Sequence, residues 1–259
     1  MRTLALTVFL LAFITFTPLH AAVQTKIAEY KQGDQILEGY LAWDDSVTGP
    51  RPGVLVVHEW TGLGEYAKMR ARKLAELGYI ALAADIYGKG IRPATPQEAG
   101  AQAAIYKNNP KLMRDRVRAG LDVLRRESLC DPRRVAAIGY CFGGTCVLEL
   151  ARSGADVAGV VSFHGGLATS NPADAKNIRG KVLVLHGGDD PHVPLKDVEA
   201  FEEEMRAAGV DWQLVVYGGA VHAFTNPAAG NDKSRGAAYN AAADRRSWEA
   251  MKAFFAEIF

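Results

Sequence analysis

The chain has 259 residues, 49% hydrophobic and 23% charged, with 26 glycines and 11 prolines, a make-up that suits a globular protein with a buried core and excludes collagen-like or disordered chains. Thirty Lys+Arg against 29 Asp+Glu leave a formal charge of +1, which excludes the strongly basic surface that binds nucleic acid or anionic membranes and leaves small molecules as the expected partners. Three cysteines are too few for a disulfide framework and leave at least one thiol without a partner in the chain.

In chain order, residues 1–22 read as a secretory signal peptide. Arg2 precedes an apolar run from Leu4 to Phe16, interrupted by Thr7 and Thr15, and the segment closes at Ala21 and Ala22. The run is shorter than the about 20 residues a membrane span needs, so the expected product is exported, periplasmic or secreted, with no stable membrane association after cleavage. Removing the leader takes away Arg2 and no acidic residue, so 30 positive charges become 29 against 29. Residues 23–259 then read as one domain, because no internal repeat or long Pro/Gly/Ser linker divides them.

Residues 35–43, after the Gly33-Asp34 turn, read as an antiparallel edge strand. Apolar runs follow at 54–57, 80–84, 135–138, 157–163, 182–185 and 214–217, mostly continuous, as strands covered on both faces must be. Helix-forming stretches at 65–77, 112–125, 142–152 and 198–208 alternate with them, and Trp248, Met251, Phe254, Phe255 and Ile258 mark one apolar stripe of a final helix. The alternation predicts an α/β fold: a mainly parallel twisted sheet with right-handed crossovers, helices on both faces and an antiparallel N-terminal edge. Ligands of such sheets bind beyond the carboxyl ends of the strands.

Beyond one of those ends the chain reads Gly139-Tyr140-Cys141-Phe142-Gly143-Gly144 and then turns helical. A tight strand-to-helix turn throws its central side chain clear of the sheet, and glycines on either side remove Cβ atoms that would collide with neighbouring backbone. The same turn places Cys141 at a helix N-terminus, whose partial positive charge favours a thiolate. A thiol nucleophile needs a base and a group to orient that base. Two later strands supply both, the first ending in Asp189-Asp190 and the second leading to His222. The order cysteine, acid, histidine is that of α/β-hydrolases, with the choice between the two aspartates open at this point.

These residues and four further motifs resemble the dienelactone hydrolase family over nearly all of the mature sequence. The further motifs are His58-Glu59-Trp60, Asp85-Ile86-Tyr87, the stretch from Gly187 to Pro194, and Val221-His222-Ala223-Phe224. The resemblance implies the α/β-hydrolase fold, a triad of Cys141, Asp190 and His222, and cleavage of carboxylic esters or lactones through an acyl-enzyme thioester. It also implies that Glu59 modulates the resting thiol. The backbone N–H groups of Trp60 and Phe142 then form the expected oxyanion hole.

The chain departs from the family where arginines grip an anionic substrate: Gly88 and Asn226 stand at those positions. Arg92 is the substitute favoured over Lys89, because a planar guanidinium can clamp a carboxylate bidentately. Tyr87, Phe224, Trp60 and Phe142 are expected to line an apolar pocket together with Asn226. Cys141 and Cys146, five apart on one helix, suit a disulfide poorly. His164, His186 and His192 form no H-x-x-x-H pair, so no metal or other cofactor is expected. A monomer is expected, with a dimer left open. The rival reading is a non-catalytic binding protein on a hydrolase scaffold.

Overall fold

The computed structural model describes residues 22–259, so all of the leader read at residues 1–22 except Ala22 lies outside the described residues. The strands are β1 (Val23–Gln32), β2 (Gln35–Asp44), β3 (Arg51–Val57), β4 (Ile80–Ala84), β5 (Cys130–Tyr140), β6 (Gly159–Phe163), β7 (Lys181–Gly187) and β8 (Trp212–Tyr217). They form one eight-stranded sheet in the order β1-β2-β4-β3-β5-β6-β7-β8. From β3 and β4 to β8 every pairing is parallel, while β2 runs antiparallel to both β1 and β4.

Among the described residues six α-helices accompany the sheet: α1 (Glu65–Glu76), α2 (Pro96–Lys107), α3 (Pro110–Arg126), α4 (Phe142–Arg152), α5 (Leu195–Ala208) and α6 (Ala241–Ile258). The period-2 alternation of a strand divides the core between the two faces of the sheet. Leu55, Val57, Ala137, Val160 and Val184 face Val117 and Leu121 of α3, Val147 and Leu150 of α4, and Phe201 of α5. Val54, Val56, Ile138, Val161 and Leu185 join the cluster of Leu74 from α1 and Met251, Phe254 and Phe255 from α6. This two-sided burial is why the central strands are mostly apolar, with Ser162 and His186 among the buried polar exceptions.

The strand at residues 35–43 is second from the edge, because β1 pairs outside it in a hairpin closed by Gly33 at φ 56°. Only Tyr30 of β1 is buried, so that strand leaves no apolar signature in the sequence. The helix α2 was not expected either. Thr95 caps it through a hydrogen bond from Glu98 N–H, and Pro96 opens its first turn, but its sequence is mostly alanine, glycine and polar residues.

The order of strands reverses at β3, whose neighbours are β4 on one side and β5 on the other. The loops beyond β3, β5, β7 and β8 therefore open onto the crevice where such a sheet binds ligands.

Candidate active site

The turn after β5 is fixed by the absence of side chains. A Cβ on Gly139 would stand 1.9 Å from the Gly143 carbonyl oxygen, one on Gly143 would stand 2.2 Å from the Val57 oxygen, and one on Gly144 would stand 2.6 Å from Ser162 Oγ. Strand, helix and neighbouring strand thus meet at backbone distance. Cys141 sits between them at φ 54° and ψ −115° as the N-cap residue of α4, a conformation costing about 1–3 kcal/mol that persists only where the surroundings impose it. His164 at φ 40° and Ala223 at φ 56° complete the non-glycine residues with positive φ among the described residues, and both lie beside Cys141 or His222.

Asp190, in the turn after β7, is buried, and its Oδ2 lies 2.7 Å from His222 Nδ1. Its Oδ1 accepts the His192 N–H at 2.8 Å, which holds the carboxylate in place. Asp189 is exposed on the far side of the turn. Beyond β8, the His222 backbone is stitched to a later segment. Its N–H donates to the Gly236 carbonyl at 3.2 Å and its carbonyl accepts from Ala238 N–H at 3.0 Å. Burial alone would depress the imidazole, but the charge of Cys141 and the Asp190 carboxylate outweigh it and push His222 up to about 10. Burial works against the Asp190 carboxylate as well, yet its hydrogen bond and charge interaction with His222 hold it below the usual range.

The loop after β3 carries Glu59 and Trp60 and is braced from behind. The Ile86 N–H donates to His58 Nε2 at 3.2 Å, so the proton lies on Nδ1, which is 2.6 Å from the Glu59 carbonyl. Burial keeps that imidazole neutral, with its pKa lowered to about 4. The Tyr87 hydroxyl donates to the Trp60 carbonyl at 2.9 Å, fixing the next peptide. The N–H groups of Trp60 and Phe142 have no acceptor among the described residues. Glu59 Oε2 accepts from Asn226 Nδ2 at 2.7 Å. Burial raises the Glu59 carboxyl, and the pull of Asn226, His222 and Arg70 in the opposite direction does not cancel it.

Cys141, Glu59, His222, Phe142 and Trp60 line one cavity of about 740 Å³, a size suited to a small-molecule substrate. The model of the dienelactone hydrolase family matches residues 37–259. The chain belongs to that family. It is 30% identical over 238 residues to a Yersinia pestis protein named "Putative carboxymethylenebutenolidase", across 87% of this chain and 85% of that one. Protein usf of Aquifex pyrophilus is 27% identical, across 90% and 98%. Among solved structures, a dienelactone hydrolase-like promiscuous phosphotriesterase from metagenomic libraries is 43% identical, with a TM-score of 0.88 over 92% of this chain and 99% of that one. The chain is a dienelactone hydrolase-like hydrolase.

Within this family member, several residues expected in the pocket lie elsewhere. Arg92 donates to the carbonyls of Leu63 and Ile91, both at 2.7 Å, and lies 3.6 Å from Asp85 Oδ1. It braces a loop and does not line the cavity. Lys89 pairs with Glu29 on the surface. Tyr87 is buried beneath Trp60, and Phe224 is wholly buried against His164 and Tyr217. Trp60, Phe142 and Asn226 do line the cavity.

Its cations come from unexpected places. Lys107, the last residue of α2, and Arg235, immediately before the segment paired with His222, both line the cavity, and neither forms an ion pair among the described residues. Gly100, Ala103 and Ala104 of α2 and Ala228, Ala229 and Ala237 line the same cavity with small residues. The other two thiols are unsuited to reaction, because burial pushes Cys130 up to about 11 and Cys146 well above its ordinary value.

Proposed function

We propose that this hydrolase cleaves carboxylic esters or lactones with Cys141 as nucleophile, His222 as general acid and base, and Asp190 as the group that orients His222. The observation that carries the reading is the 2.7 Å contact of Asp190 Oδ2 with His222 Nδ1, on a histidine that shares the cavity floor with a cysteine held at φ 54° on a helix N-terminus. Each feature separately has other uses. Together they meet the demands of an activated nucleophile, a base and an orienter.

In this scheme the Cys141 sulfur attacks the carbonyl carbon and the C=O electron pair moves onto oxygen, where the Trp60 and Phe142 N–H groups stabilise it. The oxyanion collapses, the C–O bond breaks, and the His222 imidazolium gives its proton to the departing alkoxide, leaving a thioester on Cys141. Neutral His222 then takes a proton from water, the hydroxide attacks the thioester, and the carboxylic acid leaves as the sulfur regains its electron pair. Glu59, whose carboxyl burial raises above its ordinary value, exchanges a proton or hydrogen bond with the resting Cys141 sulfur. Arg235 and Lys107 replace Arg92 as the groups that would meet an anionic substituent. Trp60, Phe142 and the alanines of the cavity would take an apolar one.

A second reading, turnover of neutral phosphotriesters by the same thiol, is favoured by the 43% identity to the promiscuous phosphotriesterase. Export through the leader at residues 1–22 is part of the proposal and is tested by the N-terminal sequence and location of the mature protein.

The test is turnover of p-nitrophenyl acetate, a neutral lactone and a p-nitrophenyl dialkyl phosphate by wild type and Cys141→Ala. The alanine variant should lose all acyl and lactone turnover. Retained turnover of the acetate would reject Cys141 as nucleophile. Removing the thiol also removes the charge that raises His222, so the pKa of His222 measured by NMR should fall in Cys141→Ser.

A further inference from the structure

Beside Cys141, outside the cavity lining, lies a buried polar cluster that the chemistry above does not use. His164 follows β6, is fully buried and adopts φ 40°, in the region that non-glycine residues enter only when held there. The Cys141 N–H is shared between the Phe163 carbonyl at 3.0 Å and His164 Nδ1 at 3.2 Å. A backbone N–H can only donate, so Nδ1 carries a lone pair and the ring proton sits on Nε2. Nε2 lies 2.7 Å from Thr225 Oγ1, three residues past His222.

Thr225 is itself gripped on its other side. Its hydroxyl lies 2.6 Å from the Tyr66 hydroxyl, and its carbonyl accepts from Arg70 Nη2 at 2.8 Å. Arg70 Nε donates to Tyr66 at 3.1 Å, and Arg70 Nη2 pairs with Asp244 at 2.5 Å. The His164 ring also stands edge-to-face with His222, centroids 5.3 Å apart, and with Phe224 at 5.0 Å. One imidazole therefore touches the peptide of Cys141, the ring of His222 and the loop that carries His222. The titratable and charged groups around it are His222, Tyr66, Tyr140 and Arg70.

We infer that His164 is a positioning residue for this hydrolase: as a neutral Nε2–H imidazole it ties the Cys141 peptide to the His222 loop through Thr225. The inference rests on the reading of Cys141 and His222 as nucleophile and base. A proton added at Nδ1 would set two donors against each other at Cys141 and bring a cation next to His222 and Arg70. Burial, His222 and Arg70 all hold His164 well below its ordinary value, so the ring resists the second proton that would break its contact with Cys141. A ring serving only as filler would need neither a fixed tautomer nor a hydroxyl partner.

The test combines variants with a readout independent of turnover. Imidazole ¹⁵N shifts of wild type and Cys141→Ala should show His164 protonated on Nε2 alone, unchanged while His222 titrates. Thr225→Val removes the hydroxyl at constant shape. His164→Asn tolerates positive φ and can still accept from Cys141 but cannot also reach Thr225. Both should lower kcat about tenfold to a hundredfold with KM nearly constant, the effect of a small misplacement of reacting groups. Thr225→Ser should recover most of that loss. A His164 that carries its proton on Nδ1, or that titrates together with His222, overturns the inference even if a variant fails to fold. Wild-type kcat in folded Thr225→Val and His164→Asn, with Cys141→Ala inactive, overturns it while leaving the nucleophile in place. Turnover by Cys141→Ala would instead strike the reading of Cys141 itself.

Discussion

At the floor of the cavity a Cβ on Gly143 would fall 2.2 Å from the Val57 oxygen, whereas at the rim a Cβ on Gly100 would find nothing nearer than Trp60 Cζ3 at 3.9 Å. The same residue type is obligatory in one place and a convenience in the other. The floor is built from strand ends, buried imidazoles and backbone contacts that fix each group to its neighbours. The rim is a helix of small residues ending in the exposed Lys107 and a loop carrying the exposed Arg235. Under the mechanism proposed above, the contrast separates chemistry from selectivity: the floor would set what bond can be broken, and the rim would set which molecule is admitted.

The largest effect expected from breaking this contrast is at the floor. Gly143→Ala should destabilise the fold by about 3 kcal/mol or more, because the backbone of β3 must move to accept one methyl group. Urea denaturation read by circular dichroism would measure it, and a loss under about 1 kcal/mol would mean that the strand and turn are not locked together.

Acid comes next. His58 and His164 are buried neutral with lowered pKa values, so the unfolded chain binds protons that the folded chain refuses. Their contribution is fully present above the unfolded value near pH 6.5 and is lost as the pH falls toward about 4, the folded value of His58. Each histidine should cost up to about 1.4 kcal/mol of stability per pH unit in that window. Replacing His58 by Gln should flatten the slope of stability between pH 6.5 and 5, and an unchanged slope would show that the ring is charged in the folded state.

The rim should respond in selectivity. Arg235→Ala is expected to lower kcat/KM about tenfold, roughly 1.4 kcal/mol, for an ester bearing a remote carboxylate while sparing a neutral ester. Equal losses on both would make Arg235 a structural residue. Arg92→Ala should show no such split, since its donors serve main-chain carbonyls. Smallest of all, Gly100→Ala should raise stability by about 0.5–1 kcal/mol through helix propensity, with little change in turnover of short esters.

The floor was also the legible part. Val182 to Asp190 and Leu214 to His222 are continuous apolar runs ending in polar turns, and a parallel sheet must bring such ends to one edge. That is why the loops carrying Cys141, Asp190 and His222 come to one end of the sheet, where Asp190 Oδ2 meets His222 Nδ1 and Cys141 and His222 line one cavity. The spacing alone did not choose between Asp189 and Asp190, because which side of a turn faces inward depends on the tertiary contact with His222. The rim was illegible for the opposite reason. Nothing in the alanine-rich α2 demands a position over the cavity, and Arg235 reaches it only because its segment pairs with the backbone of His222. Nearness in sequence favoured Arg92, which turned back to its own loop. Tyr87 and Phe224 had the right chemistry for a pocket but were needed below it, as a hydrogen-bond donor and as packing. His164 carries no metal-ligand spacing in the sequence. Its position directly after the strand beside Cys141 was the signal available.

The central claim, that Cys141 forms the acyl-enzyme, is tested most directly by intact and peptide mass spectrometry of the protein quenched in acid during turnover of a slow ester. The account predicts one acyl group per chain, located on the peptide containing Cys141, accumulating in wild type and absent in Cys141→Ala. An acyl group found on any other residue, or full turnover by Cys141→Ala with no adduct, would contradict it.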